Sequence, residues 1–123
     1  MQTLTVVRPR IVASWILQVA AAGMFLMSGT LKLAGVPMMV QLFDAIGVGQ
    51  WFRYVTGALE VVSAVLLLIP SLAVFGAVPL ALTMVGAVIT HLFIVGGSPA
   101  IPIALLGATL AIACIRFDAV SAR

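Results

Sequence analysis

The stretch Gly57-Ala58-Leu59-Glu60-Val61-Val62-Ser63 decides the fold, because it places a carboxylate inside an apolar run that is typical of membrane. An ionisable side chain at the centre of a bilayer costs about 2.5 to 3.5 kcal/mol on insertion scales, and such residues usually face a bundle interior, a partner or a pathway. Glu60 therefore needs other helices around it. The stretch predicts a helical bundle in which another span carries a polar partner for Glu60.

Composition places the chain among membrane proteins. Of its 123 residues, 64% are hydrophobic and 7% are charged, whereas charged residues make up about a quarter of a soluble domain. The net charge of +3 is spread over the chain without a basic run. A nucleic-acid partner is therefore not indicated, and the bilayer is the expected partner.

Cysteine and histidine usage argues against metal and thiol chemistry. The only cysteine, Cys114, lies in an apolar run, so neither a disulfide nor a Cys-x-x-Cys pair can form. The single histidine and the three acidic residues show none of the helical spacings that hold a metal. The sequence thus predicts no metal site and no intrinsic cofactor.

Four apolar segments predict an all-α fold, an integral membrane four-transmembrane-helix bundle that forms a single domain over residues 1–123. The arginines near the amino terminus imitate a signal peptide, but the apolar run behind them is too long and no polar mature domain follows. It is therefore expected to stay as the first helix. The predicted spans are residues 11–32, 54–69, 72–95 and 101–116.

A short amphipathic segment separates the first two spans. Pro37 suits the first turn of a helix and Gly47 suits its end, which predicts a helix over residues 37–46. A helix of this length cannot cross a bilayer, so we expect it to lie in the interface. The aromatic and cationic residues 51–54 then mark a membrane boundary.

Polar residues share single faces of the predicted spans. Gln18, Phe25 and Lys32 are seven residues apart in the first span, and we expect Gln18 to bond another helix. Thr56, Glu60 and Ser63 follow at spacings of four and three in the second span. The polar residues of the third span are Thr83, Thr90 and His91.

The distribution of basic residues predicts the orientation. Four spans bring both termini to one side, and that side holds more of the arginines and lysines. The positive-inside rule then predicts a multi-pass protein of the plasma (inner) membrane with both termini cytoplasmic. The residues compared are Arg8, Arg10, Arg116 and Arg123 on one side and Lys32 and Arg53 on the other.

Depth in the membrane groups three ionisable residues. Glu60 is roughly 10 Å inside from Arg53, His91 is roughly 7 Å inside from Gly96, and Lys32 ends the first span on the same side. These three residues are therefore predicted to form a triad in the outer half of the membrane. The predicted binding residues around the triad are Ser28, Thr56, Thr90, Phe25 and Ser63.

Several short motifs resemble those of the DoxX-like family of small four-span membrane proteins, over about residues 12–117. The family is similar to a membrane subunit of a thiosulfate:quinone oxidoreductase, which implies quinone as a ligand and a redox partner; some eukaryotic relatives resemble assembly factors. The residues that carry over are Lys32, Glu60 and His91. The sequence supplies no redox centre of its own, which argues against direct thiosulfate chemistry. The matching motifs are SGTLKL at 28–33, GALEV at 57–61, LIP at 68–70, AVITH at 87–91 and RF at 116–117.

Three functional hypotheses follow. The first is an outer-leaflet pocket in which Glu60, His91 and Lys32 bind a lipophilic molecule with a polar head, a quinone or another isoprenoid, with redox-linked or acid/base chemistry. The second is a non-enzymatic membrane subunit or assembly factor, in which Glu60 and Lys32 only hold helices together. The third is a small proton-coupled transporter. Small four-helix multidrug transporters resemble this chain in size but carry their key glutamate in the first span, and the first span here has none. A homo-oligomer is compatible with each.

Overall fold

The computed structural model describes residues 9–121, with side chains up to residue 119. The described part of the chain is all-α, as predicted, and contains five α-helices. A 3₁₀ turn at Pro70–Leu72 precedes the fourth helix, and a π-helical turn at His91–Val95 continues it. The helices are α1 (Pro9–Ala34), α2 (Pro37–Ile46), α3 (Trp51–Leu67), α4 (Ala73–Thr90) and α5 (Ala100–Ser121).

Four of these helices form a closed ring. Helix α1 packs on α3 and α5, and α4 packs on the same two helices from the opposite corner. Alanines dominate the core between them, because small side chains let apolar helices approach closely. The fully buried larger side chains include Phe25, Leu67, Leu80 and Ile112.

Helices α1 and α3 run antiparallel and touch through glycines. A Cβ atom on Gly29 would lie 2.8 Å from the Gly57 carbonyl oxygen, and one on Gly57 would lie 3.0 Å from the Gly29 carbonyl oxygen. Only residues without a side chain allow this approach. The crossing places Lys32, one turn after Gly29, beside Glu60.

Within residues 9–121, three helical segments are long and apolar enough to cross a membrane: Pro9–Ala34, Pro70–Val95 and Ala100–Ala119. Many of their large apolar side chains are exposed on the outside of the bundle, where lipid would cover them. Helix α3 has 17 residues, which is roughly 26 Å at 1.5 Å per residue. The predicted interiors of the spans agree with the helices, whereas the predicted ends differ by one to five residues.

The end of α1 is closed by an arginine that the sequence placed at a membrane boundary. The Arg53 side chain is only 5% exposed. Its guanidinium donates one hydrogen bond to the Lys32 carbonyl oxygen and another, 2.7 Å long, to Gln50 Oε1. Arg53 therefore caps the Lys32 carbonyl at the end of α1, which also accepts from the Gly35 N–H. Its neighbours Trp51, Phe52 and Tyr54 are exposed.

At the other end of the bundle, Gln18 links three helices, which confirms that it bonds another helix. Its Nε2 donates a 2.6 Å hydrogen bond to the Leu67 carbonyl oxygen, where α3 ends. Its Oε1 accepts from Ser14 Oγ at 2.6 Å and from Arg116 Nε at 2.7 Å. Gln18 and Ser14 have no exposed surface, so this polar group is enclosed by α1, α3 and α5.

Helix α2 has the bounds that the sequence predicts. Pro37 occupies its first turn, and Gly47 ends it with a φ of 81°, which favours glycine. Phe43 is buried and packs edge-to-face on Phe52 of α3, with ring centroids 5.8 Å apart. This contact holds α2 across the end of the bundle where Lys32 lies.

Candidate functional site

A buried ion pair joins α1 to α3. Lys32 Nζ lies 2.7 Å from Glu60 Oε1, and the Glu60 side chain has no exposed surface. The ammonium group also donates a 2.7 Å hydrogen bond to Ser28 Oγ, one turn earlier in α1. A charge removed from water must be paired, and Lys32 meets this need for Glu60.

The carboxylate of Glu60 nevertheless keeps unused acceptor capacity. Apart from the ion pair with Lys32, neither Glu60 Oε1 nor Oε2 accepts a hydrogen bond from the described residues. An ionised carboxylate has about four lone-pair positions. Leaving such a group unsatisfied in a buried place costs about 1 to 3 kcal/mol. A further hydrogen-bond donor next to Glu60 would therefore stabilise the carboxylate.

A cavity of about 530 Å³ adjoins the ion pair. This volume lies within the range of about 300 to 1,000 Å³ that small-molecule sites occupy. Side chains from α1, α2, α3, α4 and the π-helical turn form its wall, and most of them are apolar. The lining residues are Lys32, Leu42, Ile46, Phe52, Val55, Thr56, Leu59, Glu60, Pro79, Leu82, Thr83, Met84, Gly86, Ala87, Thr90 and His91.

The three residues of the predicted triad therefore line one cavity. His91 is the first residue of the π-helical turn and is half-buried. Its Nδ1 lies 3.0 Å from the Gly96 carbonyl oxygen, at the Gly96 backbone φ of 75°. The π-helical turn and the glycine thus fix the orientation of the imidazole; single π turns are frequent at functional sites.

Three threonine side chains complete the polar part of the wall. Their Oγ1 atoms donate within their own helices, from Thr56 to the Phe52 carbonyl, from Thr83 to the Pro79 carbonyl and from Thr90 to the Gly86 carbonyl, at 2.8, 2.9 and 2.8 Å. The sequence-based site included Thr56 and Thr90 but left out Thr83. The seven-residue spacing between Thr83 and Thr90 is the signal that could have found it.

The remaining predicted binding residues lie outside the cavity wall. Phe25 is 1% exposed in the apolar core, and Ser63 is 3% exposed where α3 approaches Gly76 of α4. Ser28 reaches the site only through its hydrogen bond with Lys32. Their roles in ligand binding stay predictions.

No group of three or more histidine, cysteine, aspartate or glutamate side chains that could hold a metal ion occurs within residues 9–121. In the same range Glu60 is the one acidic residue with a buried side chain. The polar equipment of the cavity is thus one carboxylate, one ammonium group, one imidazole and three hydroxyl groups.

Comparison with known families bears on this arrangement. The model of the DoxX-like family matches residues 16–114, a range that includes Lys32, Glu60 and His91. The chain belongs to the DoxX-like family. No curated protein and no solved structure matches it. Family membership and the long apolar helices together identify a DoxX-like membrane protein.

Proposed function

We propose that this DoxX-like protein binds a lipophilic molecule with a polar head, of the quinone or isoprenoid class, in the cavity beside the ion pair. One observation carries the proposal: a largely apolar cavity of about 530 Å³ is bounded by a buried carboxylate, its lysine partner and an imidazole. Ligand sites of this kind combine an apolar wall with a few convergent polar groups.

The apolar and the polar parts of the cavity wall suit different parts of the ligand. Apolar side chains of α2, α3 and α4 would take its hydrocarbon portion, and Glu60, Lys32 and His91 would take its head. Val55 and Leu82 line the cavity and are also 53% and 68% exposed, so the cavity opens at the outer face of the bundle. A molecule dissolved in lipid could enter there without crossing water.

Glu60 and His91 also suit proton exchange with the head of the ligand. Imidazole and carboxyl groups are side chains that enzymes use to move protons, and here both border the same cavity. Redox-linked chemistry would use them to move protons, while electrons would come from a partner protein. Acid/base chemistry on an isoprenoid would need the same two residues alone.

The proposed arrangement in the membrane has four spans, with α3 as the second. The pairs Gln18–Leu67 and Gly29–Gly57 show that α3 lies antiparallel along α1 for about eleven residues, which supports a crossing. Its length of roughly 26 Å is below the typical hydrocarbon thickness of about 30 Å, a mismatch that local thinning accommodates. The termini are then cytoplasmic in the plasma membrane, and α2 lies in the outer interface.

Two glycines offer a matched test of the cavity. A Cβ atom on Gly86 or on Gly107 would meet no atom within 4 Å, so the first side-chain atom of Gly86→Leu and of Gly107→Leu has equal room. Only Gly86 lines the cavity. We expect Gly86→Leu to displace the lipophilic ligand that co-purifies with the gently solubilised protein, and Gly107→Leu to retain it, as measured by organic extraction and mass spectrometry.

Equal ligand content in the two variants and the unchanged protein would contradict the cavity as the binding site. Absence of any extractable lipophilic molecule, together with stoichiometric co-purification of a protein complex, would favour the assembly-factor hypothesis. Native mass spectrometry of the same preparation distinguishes these results, because it reports ligand, partner and oligomeric state together.

A further inference from the structure

The hydrogen-bonding groups of the cavity are not balanced between donors and acceptors. Glu60 contributes a buried carboxylate whose Oε2 has no hydrogen-bond partner among the described residues. An ionised carboxylate accepts hydrogen bonds and donates none. The most costly open valence in the cavity therefore calls for a donor.

The threonines add acceptors as well. Each hydroxyl group has a single hydrogen, and Thr56, Thr83 and Thr90 donate it to a backbone carbonyl of their own helix. What their oxygen atoms still offer to a ligand is lone pairs. Three hydroxyl groups that could have donated are thus committed to accepting.

The imidazole of His91 follows the same pattern. A carbonyl oxygen can only accept, so the contact with Gly96 assigns the ring hydrogen to Nδ1. In the neutral ring Nε2 is then an acceptor. Among the six polar side chains in the cavity wall, Lys32 alone retains a donor, since two of its three N–H groups face Ser28 and Glu60.

From this imbalance we propose that the cavity selects ligands whose polar head donates a hydrogen bond, which means a quinol or an isoprenoid alcohol rather than an oxidised quinone or an ether. The inference rests on the proposed function and names the ligand class for the same site. Both Glu60 oxygens are fully buried in this structure, so a polar head reaches them only when the side chains around them move aside. A hydroxyl group in that place can donate to Glu60 Oε2 and accept from Lys32. A quinone carbonyl can use only the Lys32 donor and leaves Glu60 unsatisfied.

Two probes of equal chain length test this selectivity: farnesol, which donates and accepts, and farnesyl methyl ether, which only accepts. Their dissociation constants are measured on the purified protein in detergent by isothermal titration. A hydrogen bond to a charged group is worth a factor of roughly 10 to 100 in affinity. We expect farnesol to bind at least about tenfold more tightly than the ether.

The substitution Glu60→Gln tests the atom responsible. The amide oxygen would turn towards the Lys32 ammonium group, so the amide nitrogen would face the cavity and supply a donor in place of an acceptor. We expect the preference for farnesol to fall to within about threefold of equality, mainly through tighter binding of the ether. If Glu60→Gln instead weakens the binding of both probes equally and leaves the preference for farnesol unchanged, the assignment to Glu60 is wrong.

The outcomes separate this inference from the proposed function. If both probes bind equally well and Gly86→Leu abolishes both, the cavity binds lipophilic molecules but has no donor preference, and the inference is wrong. If neither probe binds to the unchanged protein, the proposed function fails and the donor preference fails with it. If the alcohol is preferred and Glu60→Gln removes that preference, the inference holds.

Discussion

At the scale of single residues, the pairing of Lys32 with Glu60 decides whether a buried charge can persist. Replacing Lys32 by methionine keeps much of its apolar stem but leaves the Glu60 carboxylate without its counter-charge. Removal of one partner from a buried pair typically costs about 3 to 5 kcal/mol. We expect Lys32→Met to lower the free energy of unfolding by about 3 kcal/mol, measured by denaturant titration in mixed micelles.

The matching control removes both charges. The double variant Lys32→Met with Glu60→Gln leaves no uncompensated charge, so most of the lost stability should return. If the double variant were as unstable as the sum of the two single variants, the two residues would not interact. That result would contradict the 2.7 Å contact between them.

The sequence predicts the pairing at this scale only in part. The cost of a carboxylate in lipid and the depths of the three helices bring Lys32, Glu60 and His91 together without coordinates. The open valence on Glu60 and the capping role of Arg53 cannot be predicted in this way, because they depend on rotamers and on where the backbone of α1 ends. Thr83 could have been included, since its spacing from Thr90 is visible in the sequence.

At the scale of helices, the crossing of α1 and α3 depends on glycine. Gly23 and Gly29 lie in the same helix, but a Cβ atom on Gly23 would meet nothing within 4 Å, whereas one on Gly29 would lie 2.8 Å from the Gly57 carbonyl oxygen. We expect Gly29→Ala to destabilise the bundle by about 1 to 3 kcal/mol through overpacking. Gly23→Ala should be neutral or stabilise it by up to about 1 kcal/mol through helix propensity. Thermal unfolding of both variants in one detergent provides the comparison, and equal effects would argue against a close crossing.

The opposite end of the bundle depends on Gln18. The variant Gln18→Leu removes the donor to the Leu67 carbonyl oxygen and the acceptor for the Ser14 hydroxyl group. Each buried group that loses its partner costs about 1 to 3 kcal/mol, so we expect a loss of at least about 2 kcal/mol. Gln41→Leu makes the same exchange at an exposed position of α2 and should change the stability by less than about 0.5 kcal/mol. Similar losses in both variants would show that the exchange itself, and not the link between helices, is responsible.

Helix boundaries illustrate what local signals can predict. Pro37 and Gly47 delimit α2 correctly, because each acts through its own backbone preference. The third predicted span ends at residue 95, directly before two glycines, and the helical segment of the structure ends there too. The change from α-helix to π-helix before that end gives no such signal. There α4 passes into the π-helical turn at His91, whose side chain bonds the Gly96 carbonyl oxygen. That contact joins residues five apart, a spacing that an α-helix does not bring together. Periodicity alone therefore predicts a continuous α-helix up to residue 95.

At the scale of the whole molecule, two features reinforce each other. The ring of four helices is tied at one end by Gln18 and at the other by Arg53 and the Lys32–Glu60 pair. Helices α3 and α4 approach closely near Ser63 and Gly76, and the cavity lies on the side towards Glu60. The bundle is thus closed around Gln18 and leaves a cavity beside Glu60, whose Oε2 has no hydrogen-bond partner among the described residues.

The number of spans determines on which side of the membrane each loop lies. With four spans, the loops after α2 and after α4 both face outwards; if α3 did not cross, these two loops would face opposite sides. The exposed residues Val48 and Ser98 report on these loops, and Asp118 reports on the end of α5. In a Cys114→Ser background, we expect Val48→Cys and Ser98→Cys to react with an impermeant maleimide in intact cells. Asp118→Cys should react only after the cells are permeabilised.

Labelling of only one of the two loops would contradict the four-span arrangement, whereas inverse labelling of all three positions would keep four spans and reverse the orientation that the positive-inside rule predicts. Of the basic residues behind that prediction, Arg8 and Arg123 lie outside the described residues, so labelling is the direct measurement of the orientation.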